Sequence, residues 1–188
     1  GIGGDAFALV YMQTEKKLVG LNASGRSAYA ADPELLLHQG LTTIPAYHDL
    51  RAFNVPGAFD GWAQLMDRYG SMSMSEVLQP AIDYAENGFP VSPQIGKSWS
   101  ESVQMLGYCK NARQTYLING RSPKIGEVFQ IKSLARTLRL LAEGGRQAFY
   151  EGEIAQRIVQ YSNQNNGWIS MKDFKDHTSE WVEPICTN

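Results

Sequence analysis

The sequence of 188 residues is poor in cysteine and histidine, with two of the former and three of the latter. Cys109 and Cys186 are far apart, and a disulfide scaffold needs a denser pattern, so two isolated buried thiols are favoured over a disulfide. His38, His48 and His177 form no H-x-x-x-H motif, and no C-x-x-C motif is present. The sequence therefore predicts no metal site and no cofactor, with each histidine at the surface or bonded to local partners.

Long apolar stretches and an excess of charge of one sign are also missing. The 17 basic residues are spread along the chain and balanced by 19 acidic ones, giving a net charge of −2. This balance argues against a nucleic-acid partner, because no basic run is present to displace counterions from a phosphate backbone. No stretch approaches the roughly 20 apolar residues of a membrane span. The chain opens on a glycine turn without Met, so we expect it to begin downstream of its natural start, and the sequence assigns no compartment.

Motifs for self-contained catalysis are missing as well. The sequence has no G-x-S-x-G elbow and no phosphate-binding loop ending in Lys-Ser or Lys-Thr. The glycines of residues 1–4 precede a predicted strand, whereas a dinucleotide fingerprint follows one and opens a helix. We therefore predict no catalytic residue within this chain.

The first thirty residues carry the strongest local pattern. Residues 6–12 are apolar in both alternating phases, a polar break follows, and residues 17–21 return with Leu and Val. This pattern predicts an antiparallel hairpin whose first strand is buried on both faces, inside a layered sheet. The loop beyond it contains Ser24, Gly25 and Arg26. Arg26 either forks onto a carboxylate of a ligand or pairs with a structural acid.

The rest of the chain is predicted to form mainly helices. We predict a helix capped by Asp32 and begun by Pro33, helices over residues 62–69, 73–87, 92–106, 131–143 and 154–161, and a short capped helix from Ser170. Pro80 predicts a break within the third of these helices. Residues 42–50 are expected to form a loop, and a strand is expected at 181–185. No repeat or linker is visible, so residues 1–188 are interpreted as a single incomplete domain.

Successive segments of the chain resemble the large subunit of γ-glutamyltranspeptidases. They are GIGGDAF (residues 1–7), LNASGR (21–26), FNVPGAFDGW (53–62), QPAI (79–82), NGFPVS (87–92) and AFYEG (148–152). Their order and spacing match that family over nearly the whole chain. The match is closer in appearance to the branch of γ-glutamyltransferase-related proteins and cephalosporin acylases than to the glutathione-degrading enzymes.

The resemblance implies a fold and an activity. The fold class would be α+β, a helix-rich segment of an N-terminal-nucleophile hydrolase of four-layer α/β/β/α type, with a core hairpin near the N-terminus. The activity would be transfer of a γ-glutamyl or similar acyl group from an amide such as glutathione to water or an amino acid. A threonine exposed by self-cleavage would be the nucleophile, and it would lie outside this chain. The implied partner is the small subunit, the downstream part of the same precursor.

The resemblance also nominates site residues. In glutathione-handling members, an arginine in the loop after the second strand, followed by Glu and a short Ala-Pro run, holds the substrate α-carboxylate. When that Ala-Pro run is set against Ser27-Ala28, the arginine position falls on Ser24, and Arg26 lies two residues later. Arg26 and Ser24 are therefore the candidate substrate-binding residues. The alternatives to a γ-glutamyl transferase are an acylase with a different acyl substrate and a non-catalytic fragment or scaffold.

Overall fold

A computed structural model describes residues 1–44 and 49–187 of the chain. The chain divides into two compact units, the first formed by Gly1–Met74 with Gly144–Asn188 and the second by Ser75–Glu143. The interpretation of residues 1–188 as one incomplete domain stays a prediction. Over the described ranges, no helix combines the length and the apolar character needed to cross a membrane.

Helices predominate over strands. The strands are β1 (Ala6–Met12), β2 (Lys17–Ala23), β3 (Phe89–Pro90), β4 (Val128–Phe129) and β5 (Glu180–Val182). The helices are α1 (Pro33–His38), α2 (Ala58–Tyr69), α3 (Met74–Asn87), α4 (Pro93–Glu101), α5 (Val103–Tyr108), α6 (Lys110–Tyr116), α7 (Lys132–Tyr150), α8 (Glu153–Gln164) and α9 (Met171–Lys175), with a 3-10 turn at Leu50–Ala52.

The predicted hairpin is confirmed. β1 pairs antiparallel with β2, with Ala6 opposite Ala23 and Met12 opposite Lys17. The strand predicted near the end of the chain also forms, as β5, and it pairs antiparallel with the other edge of β2 so that Glu180 lies opposite Asn22. The sheet of the first unit therefore has the order β1-β2-β5.

One face of β1 is open, which contradicts the prediction that this strand is buried on both faces. Phe7, Leu9 and Tyr11 are 71%, 70% and 56% exposed. The opposite phase of β1 is half-buried, while Leu21 and Ala23 of β2 are buried on the side of α2. The strand is apolar in both phases, but the described chain supplies a covering layer on one side only.

The core of the first unit is aromatic. Phe59, Phe149, Tyr150 and Phe174 are completely or almost completely buried. The rings of Phe59 and Phe149 stack with their centroids 5.5 Å apart, and the ring of Phe149 lies 6.4 Å from that of Phe174. Burying side chains of this size stabilises the unit by roughly 1.5–3 kcal/mol each. This core lies behind the sheet and supports the start of α2.

Several predicted helix starts are confirmed by their caps. Asp32 accepts hydrogen bonds from the N–H groups of Glu34 and Leu35 at 2.9 and 3.3 Å, and Pro33 is the first residue of α1. Ser170 and Asp173 form a reciprocal capping box at the start of α9. Part of the loop predicted over residues 42–50 lies outside the described residues.

Of two predictions that depend on helix-breaking residues, one is wrong and one is confirmed. α3 runs without interruption through Pro80, so the predicted break is wrong. Leu78 and Ile82 are buried on either side of the proline, and this packing holds the turns that Pro80 would otherwise separate. The helix predicted to end at Gly144-Gly145 does end there: Gly145 has a non-helical φ of 53°, and α7 consists of two helices that meet at this residue, the second running to Tyr150.

In the second unit, the strands β3 and β4 pair antiparallel with Phe89 opposite Phe129. The indole ring of Trp99 in α4 packs edge-on against Phe129 with the ring centroids 4.7 Å apart. Neither short strand was predicted, because two residues are too few to show a period.

The histidines and cysteines correct two expectations. Neither cysteine forms a disulfide, as predicted, but Cys109 is half-buried and Cys186 is exposed, so the expectation of two buried thiols is wrong. His38 is exposed, and His48 lies outside the described residues. His177 is 2% exposed, and neither ring nitrogen has a hydrogen-bond partner within the described residues, so the expectation of a surface or locally bonded side chain fails there.

Candidate functional site

The loop that carries Arg26 is fixed by backbone hydrogen bonds. The N–H of Gly25 donates to Oδ1 of Asp5 at 2.7 Å, and the N–H of Val55 donates to the carbonyl oxygen of Arg26 at 3.0 Å. The N–H of Ala58, at the start of α2, donates to the carbonyl oxygen of Gly4 at 2.8 Å. The glycine turn, the arginine loop and the α2 start therefore form one rigid assembly.

The arginine loop and the segment before α2 pack closely because each has a glycine against the backbone of the other. A Cβ atom at Gly25 would overlap the carbonyl oxygen of Val55, and one at Gly57 would overlap the carbonyl oxygen of Ala23. The residues 22–26 and 53–57 thus meet backbone against backbone, which only glycine permits at these two positions.

The guanidinium of Arg26 forms an ion pair with Glu180 through Nη2 and Oε1. Both side chains are more than half exposed, at 59% and 57%. Within the described residues, the remaining N–H groups of this guanidinium have no acceptor. Arg26 therefore pairs with an acid of the same unit and still presents a free edge to solvent.

Ser24 lies on the same loop and is half-buried. Its N–H donates to Oδ1 of Asn22 at 3.0 Å, so the first residue of the loop is bonded to a side chain near the end of β2. The structure brings Ser24 and Arg26 to one loop at the end of β2, with the α2 start beside it. Their role as substrate contacts stays a prediction.

A buried carboxylate that was not predicted from the sequence lies behind this loop. Asp60, on α2, has no exposed surface. One oxygen accepts from Nε of Arg146, and the other accepts from the N–H of Ser179 at 2.6 Å and from Nε2 of Gln64 at 2.9 Å. Burial alone raises the pKa of Asp60, but the interactions with Ser179 and Arg146 outweigh it and lower the pKa below its ordinary value. The buried group is therefore a carboxylate anion.

Tyr150 and Arg146 extend this network. The hydroxyl of Tyr150 donates to the carbonyl oxygen of Pro56 at 2.7 Å and accepts from the N–H of Asp60 at 3.0 Å. Burial raises the pKa of Tyr150, so the phenol stays neutral. Arg146 lies over the Tyr150 ring at 4.9 Å and also donates to the carbonyl oxygen of His177.

His177 completes the buried cluster. Its ring stacks on Tyr150 with the centroids 5.4 Å apart. Burial is the main cause of the lowered pKa of His177; Arg146 and Arg26 lower it further, while Asp60 and Asp5 oppose the shift. The imidazole is therefore neutral at neutral pH, and it is packed as an aromatic ring.

The segment 177–180 connects the buried cluster to Arg26. Its backbone is held by Asp60 at the Ser179 N–H and by Gln64 at the Ser179 carbonyl oxygen, the latter at 3.1 Å. Glu180 follows immediately and reaches Arg26. A local signal for this arrangement is that Asp60 interrupts the otherwise apolar stretch 58–62 at the start of α2, because an acid buried there needs a partner.

Comparison with known proteins finds relatives that match the whole of this chain. The family model for gamma-glutamyltranspeptidase matches residues 1–188. The chain is 38% identical to the glutathione hydrolase-like YwrD proenzyme of Bacillus subtilis, over 100% of this chain and 35% of the relative. The cephalosporin acylase of Bacillus halodurans superposes with a TM-score of 0.93 at 36% identity, over 100% of this chain and 36% of that one. The γ-glutamyltranspeptidase of Helicobacter pylori superposes with a TM-score of 0.92 at 26% identity, over 98% and 54%.

These matches identify the class of protein and then the family. The class is the N-terminal-nucleophile hydrolase, of which this chain has the helix-rich α+β fold that the resemblance implied. The chain belongs to the gamma-glutamyltranspeptidase family, which is a family of enzymes. It spans about a third of the length of the Bacillus subtilis relative, which is a proenzyme with a longer chain.

Proposed function

We propose that this chain is the large-subunit portion of a γ-glutamyltranspeptidase-like enzyme that transfers a γ-glutamyl or similar acyl group from an amide to water or an amino acid. The observation that supports it best is the family match over residues 1–188, which includes the arginine loop and the α2 start that fixes it. The catalytic threonine belongs to polypeptide outside these residues. The 188 residues alone are inactive in this proposal.

The proposed chemistry divides the work between the two parts of the enzyme. The free α-amine of an N-terminal threonine accepts the proton of its own hydroxyl, and the hydroxyl oxygen attacks the amide carbonyl carbon. The C–N bond of the amide then breaks, the amine leaves with the proton that the α-amine returns to it, and the acyl group remains as an ester on the threonine. Water or an amino acid then releases the acyl group. The present chain shapes the acyl pocket, and Arg26, with Ser24 beside it, binds a carboxylate at the far end of the acyl group through charge-assisted hydrogen bonds.

The open face of β1 supports the proposal that the chain has an obligate partner from the same precursor. Phe7, Leu9 and Tyr11 form a row of exposed apolar side chains on a strand that the chain covers from one side only. A second sheet packed on this row would bury it as a domain core does. We propose that the downstream subunit supplies that sheet.

An acylase with a different acyl substrate is the second candidate. It is supported by the similarity to a cephalosporin acylase and by the position of Arg26, two residues beyond the arginine position of glutathione-handling members. A non-catalytic scaffold is the third possibility, and it predicts no turnover by the complete protein.

One assay separates these candidates. The complete polypeptide, processed to its subunits, is incubated with γ-glutamyl-p-nitroanilide and with glutaryl-p-nitroanilide, which differs only by lacking the α-amino group. Preference for the first substrate supports the transferase, and preference for the second supports the acylase. Failure of the processed protein to hydrolyse either amide contradicts the proposed enzyme activity, and turnover by the 188 residues alone contradicts the external threonine.

A further inference from the structure

We propose that Glu180 is a positioning residue for Arg26, which holds one edge of the guanidinium so that the other edge is aimed at a ligand carboxylate. This inference rests on the proposed function, since it assumes that Arg26 meets an acyl group carrying a carboxylate. No part of the resemblance to the family assigned a role to Glu180.

The side chain of Glu180 projects from a fixed point of the backbone. It lies opposite Asn22 in the pairing of β5 with β2. The preceding residue, Ser179, is held at its N–H by the buried carboxylate of Asp60 and at its carbonyl oxygen by Gln64. The backbone that carries the Glu180 side chain is therefore anchored to the core of the first unit.

Arg26 also projects from a fixed backbone, but its side chain is long. The carbonyl oxygen of Arg26 accepts from Val55, and the preceding glycine is bonded to Asp5. Its side chain is 59% exposed, so without a partner the guanidinium would sample many rotamers. The contact with Glu180 reduces that freedom before a ligand arrives, and pre-organisation of this kind raises affinity.

The geometry of the pair leaves room for a ligand. A guanidinium has five N–H donors in a planar fork, and Glu180 engages Nη2 through one oxygen. A carboxylate can therefore approach the unoccupied edge without displacing Glu180. An ion pair as exposed as this one contributes little to folding stability. Folding stability therefore does not explain why the backbones of both Arg26 and Glu180 are held by hydrogen bonds.

The test uses the complete, processed polypeptide and a matched pair of amides. Glutaryl-p-nitroanilide has a terminal carboxylate, and butyryl-p-nitroanilide is the same acyl group without it. Glu180→Ala should raise KM for the glutaryl amide about fivefold or more, while KM for the butyryl amide and both kcat values stay within about twofold of wild type. Glu180→Gln should recover most of the loss, because its amide oxygen still accepts from the guanidinium.

Glu183→Ala is the control, because Glu183 is an exposed acid three residues further on that has no contact with Arg26. It should leave both KM values unchanged. The proposal for Glu180 is overturned by any of three results. KM changes equally for the two amides in Glu180→Ala, KM does not change in Glu180→Ala, or Glu183→Ala changes KM in the same way. Inactivity of the wild-type protein toward both amides overturns the proposed enzyme activity instead, and the inference falls with it.

A charge exchange covers the case in which Glu180→Ala fails to fold or process. The double variant Arg26→Glu with Glu180→Arg keeps an attractive pair at the same place but moves the cation to β5. It should keep the melting temperature within about 2 °C of wild type and still show a raised KM for the glutaryl amide alone. Recovery of the wild-type KM in this double variant shows that the pair acts only as a structural contact, and it overturns the proposal.

Discussion

Asp60 and Arg146 form a salt bridge in which the carboxylate is wholly buried and the guanidinium is about one-third exposed. The same two side chains hold the backbone of residues 177–179, since Asp60 accepts from the N–H of Ser179 and Arg146 donates to the carbonyl oxygen of His177. The pair therefore acts on the loop beside the candidate site through the segment that leads to Glu180.

Replacement of Asp60 by Asn should destabilise the protein by about 2–4 kcal/mol, because it leaves Arg146 without its counter-charge beside a buried amide. Chemical denaturation of the complete protein measures the change. Asp67→Asn, at an exposed acid on the same helix, is the matched control and should change the free energy of unfolding by less than about 0.5 kcal/mol. Equal effects of the two substitutions would show that the buried pair contributes nothing particular.

Gly25→Ala should disrupt the arginine loop, because the added methyl group overlaps the carbonyl oxygen of Val55. We expect a lower melting temperature and loss of the hydrogen bond between Val55 and Arg26. Gly107→Ala provides the control, since a Cβ there meets no atom within 4 Å. A Gly25→Ala protein with the melting temperature of wild type would mean that the loop can move away from Val55.

The parts of the fold that depend on neighbours in sequence could be predicted. The hairpin of residues 6–23 has alternating apolar positions and a short polar break, and the Asp32 and Ser170 caps are each defined within four residues. These elements appear in the structure at or within a few residues of their predicted bounds. The candidate loop with Ser24 and Arg26 was located for the same reason, because it directly follows a strand.

The parts that depend on distant packing could not be predicted. Asp60 and Arg146 are 86 residues apart in sequence, and neither has a local pattern that names the other. The helix α3 continues through Pro80 because Leu78 and Ile82 are buried, and a local rule about proline contains no information on that burial. Arg26 and Glu180 are also far apart in sequence, by 154 residues, so the sequence left open which acid would pair with the arginine.

Arg26→Lys should separate a role in substrate binding from a structural role. If Arg26 binds the acyl carboxylate, KM for γ-glutamyl or glutaryl amides should rise about tenfold or more, because an ammonium group cannot reproduce the guanidinium fork. Folding and self-cleavage should remain nearly intact, since the ion pair with Glu180 is exposed. A normal KM in a properly processed Arg26→Lys protein would remove Arg26 from the candidate site.

Acidification should weaken the first unit through His177. Burial lowers the pKa of His177 in the folded state below its ordinary value of 6.5, so the unfolded chain binds the proton more readily. This contribution to stability is complete above pH 6.5 and is lost as the pH falls toward the folded-state pKa. Asp60 also has a lowered pKa, but its contribution is lost only as the pH falls below 3.8.

His177→Phe tests this assignment, because phenylalanine keeps the ring stacked on Tyr150 and cannot be protonated. The fall in melting temperature between pH 8 and pH 5 should be smaller in this variant than in wild type. His38→Gln, which removes an exposed imidazole, is the control and should preserve the wild-type fall. The same pH dependence in His177→Phe as in wild type would assign the acid sensitivity to other groups.

The open face of β1 predicts that one double substitution has opposite effects in the isolated chain and in the complete polypeptide. Phe7→Lys combined with Leu9→Lys should make the isolated 188-residue chain more soluble, because it removes exposed apolar side chains from a strand edge of the sheet. Without these changes, the isolated chain should aggregate or remain partly unfolded.

In the complete polypeptide the same double variant should destabilise the protein or block processing, because two lysines would face an apolar layer supplied by the other subunit. Sedimentation of the isolated chain and the extent of self-cleavage in the complete one measure the two effects. Lys16→Glu with Lys17→Glu, at an exposed position of the turn and at the exposed first residue of β2, is the control for a change of charge in the same hairpin. A stable, cooperatively unfolding monomer of the unaltered 188 residues would contradict an obligate partner, as would normal processing of the complete polypeptide carrying both lysines.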